Sequence, residues 1–411
     1  MTRSAIVVGG GIIGLCSALA LQRRGVSVTL LEPDRARRAA SWGNAGHIAT
    51  EQVEPLASWA MIRSVPRRLF CVGGAVALPP RDIAHWLPFS VALIGAATRF
   101  DSGCATLGSL LAQAMPAWRE LDFSLNSARI FKENGHYLLW ETPQTAARGI
   151  AMWSRANIGT TRFRPIDDEE RATFARLLKR PPAGGIKFEN SGQITDHKTL
   201  AQALERAIVD AGGHILPARA EALAIEGGAA RVILESREQM SAEYVVVAAG
   251  VRSRELLATI GIHVPLIAER GYHLHVDEAE WPELPPVAFE DRSVVVTRFN
   301  SGLRMTSFVE FANPDSPPDA RKWQRLRKHA RELGLPFSSN ATEWMGCRPT
   351  LPDYLPAIGR TRRASNLLYA FGHQHLGLTL GPITGQIIAA LATESPLPVE
   401  IGNCDIERFS R

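Results

Sequence analysis

Residues 5–8 (AIVV) form an unbroken apolar run of the kind that a parallel strand buried on both faces requires. The segment GGGIIG follows at once and opens a helical stretch, LCSALALQRRG, which Gly25 ends as a glycine just past a helix should. A second apolar run, 26–31 (VSVTLL), stops at Glu32 and completes a β-α-β unit of about thirty residues. From 51 to 190 this rhythm disappears, and Trp-rich and Pro-rich segments alternate with helical ones. The α/β pattern returns at Ile194. There Thr195 or Asp196 can cap the helix HKTLAQALERAIVDAGG, and short strands lead to 244–249 (YVVVAA) and Gly250. Residues 265–341 read as strands with a charged helix near 320–333. The last seventy residues hold a strand at 367–371, the turn GHQHLGLTLGPITG and a final helix through 386–392.

This pattern predicts an α/β fold in which a Rossmann-like nucleotide-binding domain (1–50, 191–264 and 342–411) is interleaved with an α+β substrate domain (51–190 and 265–341) built on a mainly antiparallel sheet. A chain of 411 residues is long enough for two such cores. Composition agrees with a folded protein, at 45% hydrophobic and 21% charged residues. The net charge of +5 suits an anionic cofactor or substrate, but the basic residues are scattered, with Arg35, Arg37 and Arg38 the densest group. No basic stripe with interleaved aromatics appears, so nucleic acid is not an expected partner.

Five cysteines without a CxxC pair argue against zinc or a disulfide framework, and no metal site is expected. They suit a reducing, cytoplasmic setting. The first strand occupies the place of a leader peptide. The run 86–98 (WLPFSVALIGAAT) is too short to span a bilayer; it reads as a buried helix, with a peripheral contact on the inner face of the membrane as the other reading.

Gly9, Gly11 and Gly14 satisfy G-x-G-x-x-G with a strand before and a helix after. The first permits a tight turn, the second lets backbone approach a pyrophosphate, and the third lets helix and strand touch. Ile12 and Ile13 would supply N–H groups at the helix N-terminus. Glu32, eighteen residues beyond Gly14 and followed by Pro33, can accept hydrogen bonds from ribose hydroxyls and would repel a ribose phosphate. NAD and FAD share this motif. Two features favour FAD: the small residues Ala249 and Gly250 after YVVVA, and the terminal turn, whose Gly372, His373, Gln374 and His375 precede Leu376, Gly377, Leu378 and Thr379 at a helix start. N–H groups there can stabilise negative charge on a reduced flavin.

With these motifs in place, the chain resembles the D-amino-acid oxidase superfamily of FAD-dependent oxidoreductases, and within it the bacterial D-amino-acid dehydrogenases. The resemblance rests on VVGGGIIG with Glu32, ASWGNAGHI, AEYVVVAAG, GCRPTLPDYLPAIGR and NLLYAFGHQHLGLTLGPITG. It implies that Ser41, Asn44, Gly46, His47 and Ile48 run beside the flavin. Some relatives attach flavin through a cysteine; the corresponding loop and turn contain none, so FAD is expected to bind non-covalently. The resemblance also implies oxidation of the Cα–N bond of a small amino acid, and the terminal turn looks closest to the D-proline and D-hydroxyproline branch. A glycine- or sarcosine-type oxidase and a flavin-binding electron-transfer subunit are the alternatives. The electron acceptor is a quinone, an electron-transfer protein or O₂.

Hydride transfer from an amine demands positioning above all. Arg348 is the candidate clamp for the substrate carboxylate, since a planar guanidinium matches that anion. Tyr272 is expected to donate a second hydrogen bond to the carboxylate or to line the pocket, or else to sit half-buried in its strand. His375 and His47 can assist amine deprotonation, stabilise the flavin or serve packing alone.

Overall fold

The computed structural model describes residues 3–125, 129–337 and 340–409, organised around two large sheets. The first runs in the order His214–Leu216, β2 (Ser27–Leu31), β1 (Ser4–Val8), Tyr244–Val247, Leu367–Phe371 and Ala357–Arg360. Its first five strands are parallel and the last is antiparallel. Strand β1 lies inside this sheet, which is why its side chains are apolar on both faces.

Helix α1 (Ile12–Arg23) follows β1, and Gly377–Thr393 lies directly against it. Small residues make the approach possible: a Cβ at Gly385 would stand 2.5 Å from the Cys16 carbonyl oxygen, and one at Gly381 2.8 Å from Ile12 Cγ1. Extended back to Gln374, this is the one helix among the described residues long and apolar enough to cross a membrane. It is 78% buried inside the protein, as a core helix is.

The second sheet has nine strands, largely antiparallel. Thr342–Thr350 forms its edge and pairs with Ile267–Val276, which pairs in turn with Gly302–Ala312. This corrects the domain boundary at 342: residues 342–350 continue the substrate sheet, and the nucleotide half resumes after them. A second adjustment concerns the insertion. Its helices Phe100–Ala112 and Ala114–Ser124 contribute Leu107, Leu110, Leu111, Met115 and Trp118 to the core beneath the nucleotide sheet.

Helix α2 (Trp59–Arg68) buries none of its residues. The run expected to be a buried helix is largely α3 (Ile83–Ala96), and that expectation needs correcting, because only Phe89 and Ala96 are buried. Phe89 packs on Ile267 and Phe311, while the opposite face meets solvent.

Candidate active site

The nucleotide cradle depends on the glycines. Gly9 adopts φ +109°, open to glycine and unfavourable for other residues, and a Cβ there would lie 2.5 Å from the Ala248 carbonyl oxygen. A Cβ on Gly14 would lie 1.8 Å from the Gly9 carbonyl oxygen, so any larger residue would force α1 off the strand. Gly11 meets only Ser41 Oγ, at 3.2 Å from such a Cβ, and the space above the helix end is left for a ligand. Ser41 Oγ accepts a hydrogen bond from the Ile12 N–H at 3.1 Å. The side chain of Glu32 accepts from Gly10 N–H and Asp34 N–H, each at 2.6 Å, which fixes the carboxylate at the floor of a cleft of ≈590 Å³ lined by Gly10, Arg35, Arg37, Trp42 and Gln202. Burial raises its pKa, and the two backbone bonds work against that rise.

The loop after β2 is held from the substrate side. Asn44 Oδ1 accepts from Gly46 N–H at 2.6 Å and lies 2.8 Å from His197 Nε2, while its Nδ2 donates to the Ser41 carbonyl at 3.1 Å. The Asn44 side chain therefore shapes the loop rather than reaching toward a cofactor. Arg304 completes the clasp by donating to the Asn44 carbonyl at 2.8 Å; burial lowers its pKa to about 10. Ala49 N–H donates to Thr379 Oγ1 at 2.9 Å, joining the loop to the terminal turn. Ile48, Leu376 and Leu378 point into the core, so whatever they offer a ligand comes from backbone.

The terminal turn is pinned on both sides. Gly372 has φ +78° and Gln374 φ +47°, and Gln374 Nε2 donates to the Tyr354 carbonyl at 2.5 Å. An isolated bridge joins His373 to Thr350, the last residue of the strand that carries Arg348. Trp118 Nε1 donates to the Leu378 and Thr379 carbonyls at 3.2 and 3.1 Å. His47 Nε2, His373 Nδ1 and Gln374 Oε1 are buried polar atoms with no partner among the described residues. Such atoms call for a polar ligand beside them.

Arg348 stands opposite Glu269 in the pairing of Thr342–Thr350 with Ile267–Val276. Its Nη1 donates to Glu269 Oε1 at 2.7 Å and to the Phe308 carbonyl at 3.2 Å. Glu269 is buried and also accepts from Thr350 Oγ1 at 3.2 Å and Tyr354 OH at 3.3 Å. Next along the strand, Gly271 leaves room for the guanidinium: a Cβ there would lie 2.2 Å from Arg348 Nη2. Nη2 and Nε take no partner among the described residues, so one edge of the fork is free for an anion. His375 feels both charges. Burial pushes it down to about 4, Glu269 works against the shift and Arg348 adds to it.

Tyr272 is placed otherwise than expected. It follows Gly271 and so points through the opposite face of the sheet, where its OH donates to Glu310 Oε2 at 2.5 Å and accepts from Arg270 Nη2 at 2.9 Å and Asp319 N–H at 3.2 Å. Every hydrogen-bonding position of that hydroxyl is taken, on the side away from Arg348.

Three contributors carry no motif of their own, Glu269, Glu51 and His136, and a fourth, Tyr354, lies in the segment GCRPTLPDYLPAIGR without having been singled out. Glu51 is buried without a cationic Lys or Arg partner, and burial pushes its carboxyl up to about 7. Its Oε1 lies 3.8 Å from His136 Nε2, and the His136 ring centroid is 4.2 Å from that of His47. His136 Nδ1 lies 2.9 Å from Ser191 Oγ. Burial drives His47 down to about 3 and lowers His136 as well, so both rings are neutral near pH 7. These three residues are the one group among the described residues whose donor atoms converge, within 4.8 Å, as a metal-ligand set would. As they stand they form a buried cluster able to hold or pass a proton.

A glycine cradle beside a fixed carboxylate, with a terminal turn bridged to the strand of a half-free arginine, fits a dinucleotide-dependent oxidoreductase. The FAD dependent oxidoreductase family model matches residues 4–391, and the chain belongs to that family. It is 28% identical over 418 residues to the D-amino-acid oxidase of Bradyrhizobium diazoefficiens, with 99% of each chain covered. It is 29% identical to D-amino acid dehydrogenase 2 of Pseudomonas aeruginosa, with 97% of each covered. Among solved structures, glycine oxidase from Geobacillus kaustophilus shares the fold with a TM-score of 0.74 at 19% identity, each chain fully covered. The cofactor is FAD. The residues present fit it: the Gly9–Gly14 cradle and Glu32 for the adenine dinucleotide half, and the unpartnered atoms at His47, His373 and Gln374 for the flavin half. Bound flavin would supply the electron acceptor, and the chain position and charge.

Proposed function

We propose that this enzyme oxidises the Cα–N bond of a small D-amino acid to the imine, with D-proline or D-hydroxyproline as the preferred substrate. The observation that carries the reading is Arg348: anchored at one edge by Glu269, free at the other, and held beside the flavin turn by the Thr350–His373 bridge. The free edge orients the substrate carboxylate. His375, held neutral by burial, adds no charge that would compete for the carboxylate, and within the His47–His136–Glu51 cluster it is Glu51, raised to about 7, that can take up a proton near neutrality. The D-configuration is supported by the names of the two relatives, and the cyclic imino acid by the terminal turn. FAD binds reversibly, since Cys347 belongs to the opposite face from Arg348, with Sγ 3.8 Å from the Pro314 carbonyl. Electrons leave to a quinone, an electron-transfer protein or O₂.

The test is to bleach the flavin anaerobically with D-proline, cis-4-hydroxy-D-proline, D-alanine, glycine and sarcosine in turn. Fast reduction by the first two supports the proposal. Selective reduction by glycine or sarcosine, followed by rapid reoxidation in air, supports the oxidase alternative, and no reduction by any of them leaves an electron-transfer subunit.

A further inference from the structure

Helix α3 contains no charged residue between Ile83 and Ala96, yet one of its faces is open to solvent. Ile83, Leu87, Val91 and Ile94 are exposed by 49, 48, 62 and 45%. Their spacing of four, four and three residues places them in a single stripe, with Ala84, Pro88 and Gly95 beside it, also exposed. Trp59 at the start of α2 and Val72 just beyond its end are exposed by 47 and 66%. An exposed apolar stripe such as that of α3 marks a binding face.

The charges around it identify what binds. From 59 to 100 the chain carries Arg63, Arg67, Arg68, Arg81 and Arg99, all exposed, against one acid, Asp82, which is buried. Arg63, Arg67 and Arg99 have no acidic partner among the described residues. Beyond α2 the basic helix Ala320–Leu333 extends the collar: Arg325 donates to the Phe70 and Gly74 carbonyls at 3.0 and 3.2 Å, and Arg321 also lies over the Phe70 ring. An apolar stripe between Arg81 and Arg99, on a segment whose Arg63, Arg67 and Arg99 have no acidic partner among the described residues, matches the interfacial layer of an anionic bilayer, where the stripe enters the acyl boundary and the guanidinium groups meet lipid phosphates. A helix of 14 residues is about 21 Å long, too short to cross, so it lies in the plane.

We propose that α3 and α2 dock the enzyme on the anionic cytoplasmic face of a membrane. Docking sets the membrane close to the clamp. Leu56 and Ala57, just before α2, pack with Leu93 and Ala96 around Tyr354, whose hydroxyl donates to Glu269 behind Arg348. The inference goes beyond the substrate assignment and stands or falls separately, because docking is read without turnover.

The experiment is sedimentation of the FAD-loaded protein with vesicles of phosphatidylcholine alone and of phosphatidylcholine with phosphatidylglycerol. The expected result is binding to the mixed vesicles, weakened by salt. Leu87→Glu/Val91→Glu should lower the partition coefficient by about tenfold or more, and Arg63→Glu/Arg67→Glu should abolish the preference for anionic lipid. Both variants should keep the parent flavin spectrum and the parent rate with a soluble dye acceptor. Equal sedimentation of the Leu87/Val91 variant and its parent, or no binding to either vesicle, overturns the proposal. So does a dimer in light scattering that the Leu87/Val91 variant dissociates, since the stripe would then be an interface between two copies.

Discussion

The strand Ile267–Val276 carries a buried acid–base group on each face, and the two are built for opposite purposes. On one side Tyr272, Arg270, Glu310, Lys322 and Asp319 close on each other. Lys322 Nζ lies 3.2 Å from Glu310 and 3.1 Å from Asp319, and Arg270 also donates to the Ser316 carbonyl at 2.9 Å. Arg270, Glu310 and Lys322 are all but inaccessible to solvent. On the other side Glu269 holds one edge of Arg348, and the other edge stays free. The first group is a tie between the sheet and the helix Ala320–Leu333; the second is an unfinished pair, open to the carboxylate of the proposed substrate. A buried charge therefore does not announce a site. What distinguishes one is a leftover donor edge that a ligand can reach: Arg270 Nε also lacks a hydrogen-bond partner but is sealed in, 3.7 Å from Glu310 Oε2, whereas the Arg348 side chain is 23% exposed.

Substitutions should separate the two faces. Arg348→Ala is expected to lower kcat/KM by about a thousandfold, or ~4 kcal/mol, because it removes a charge-assisted anion contact and leaves Glu269 without its partner. The flavin absorbance should persist, Arg348→Lys should recover only part of the loss, and near-normal steady-state kinetics would refute the clamp. Glu310→Ala should instead cost about 3 kcal/mol or more of stability in denaturant unfolding, since Arg270 and Lys322 lose their shared acid. The folded fraction should turn over as the parent does.

Glu51→Gln has an effect that depends on pH. The Glu51 carboxyl is raised to about 7 in the folded chain from an ordinary value of 4.5, so folding takes up a proton between those limits. Stability from this group is full below 4.5 and falls as pH rises through 7. Glu51→Gln should therefore gain on the parent by up to about 3 kcal/mol between pH 4.5 and 8, measured as the difference in Tm across that range. A difference independent of pH would mean that Glu51 is not buried as a neutral acid. The smallest effect is expected for Tyr272→Phe, about 1–2 kcal/mol of stability with kcat/KM unchanged. A tenfold fall in kcat/KM would return Tyr272 to the substrate side.

The nucleotide half was legible in the chain because its evidence is local: Gly9, Gly14 and Glu32 act within one β-α-β unit, and the turn at Gly372 follows its own strand. The clamp was half legible. Arg348 sits in a recognisable segment, but its partner Glu269 lies 79 residues away and meets it only through strand register, which no short motif records. Alternation told that Tyr272 and Gly271 face opposite ways, without telling which side is the cleft. The boundary at 342 failed for the same reason, since pairing with Ile267–Val276 is not written in residues 342–350 themselves. Helix α3 misled differently: an uncharged apolar run implies that something covers it, and that cover need not be this protein.

The order of strands in the nucleotide sheet has a consequence for biosynthesis. β1 is flanked by β2, made almost immediately after it, and by Tyr244–Val247, which in turn waits for Leu367–Phe371. Strand β1 thus keeps an open edge until Tyr244–Val247 is made, with most of the α+β insertion emerging meanwhile. Pairing across such separations is slow and leaves strand edges exposed to wrong partners. FAD held by both the Gly9–Gly14 turn and the Gly372 turn would lock the two together only once the second had been made. Flavin supply during expression should accordingly govern the yield of folded enzyme.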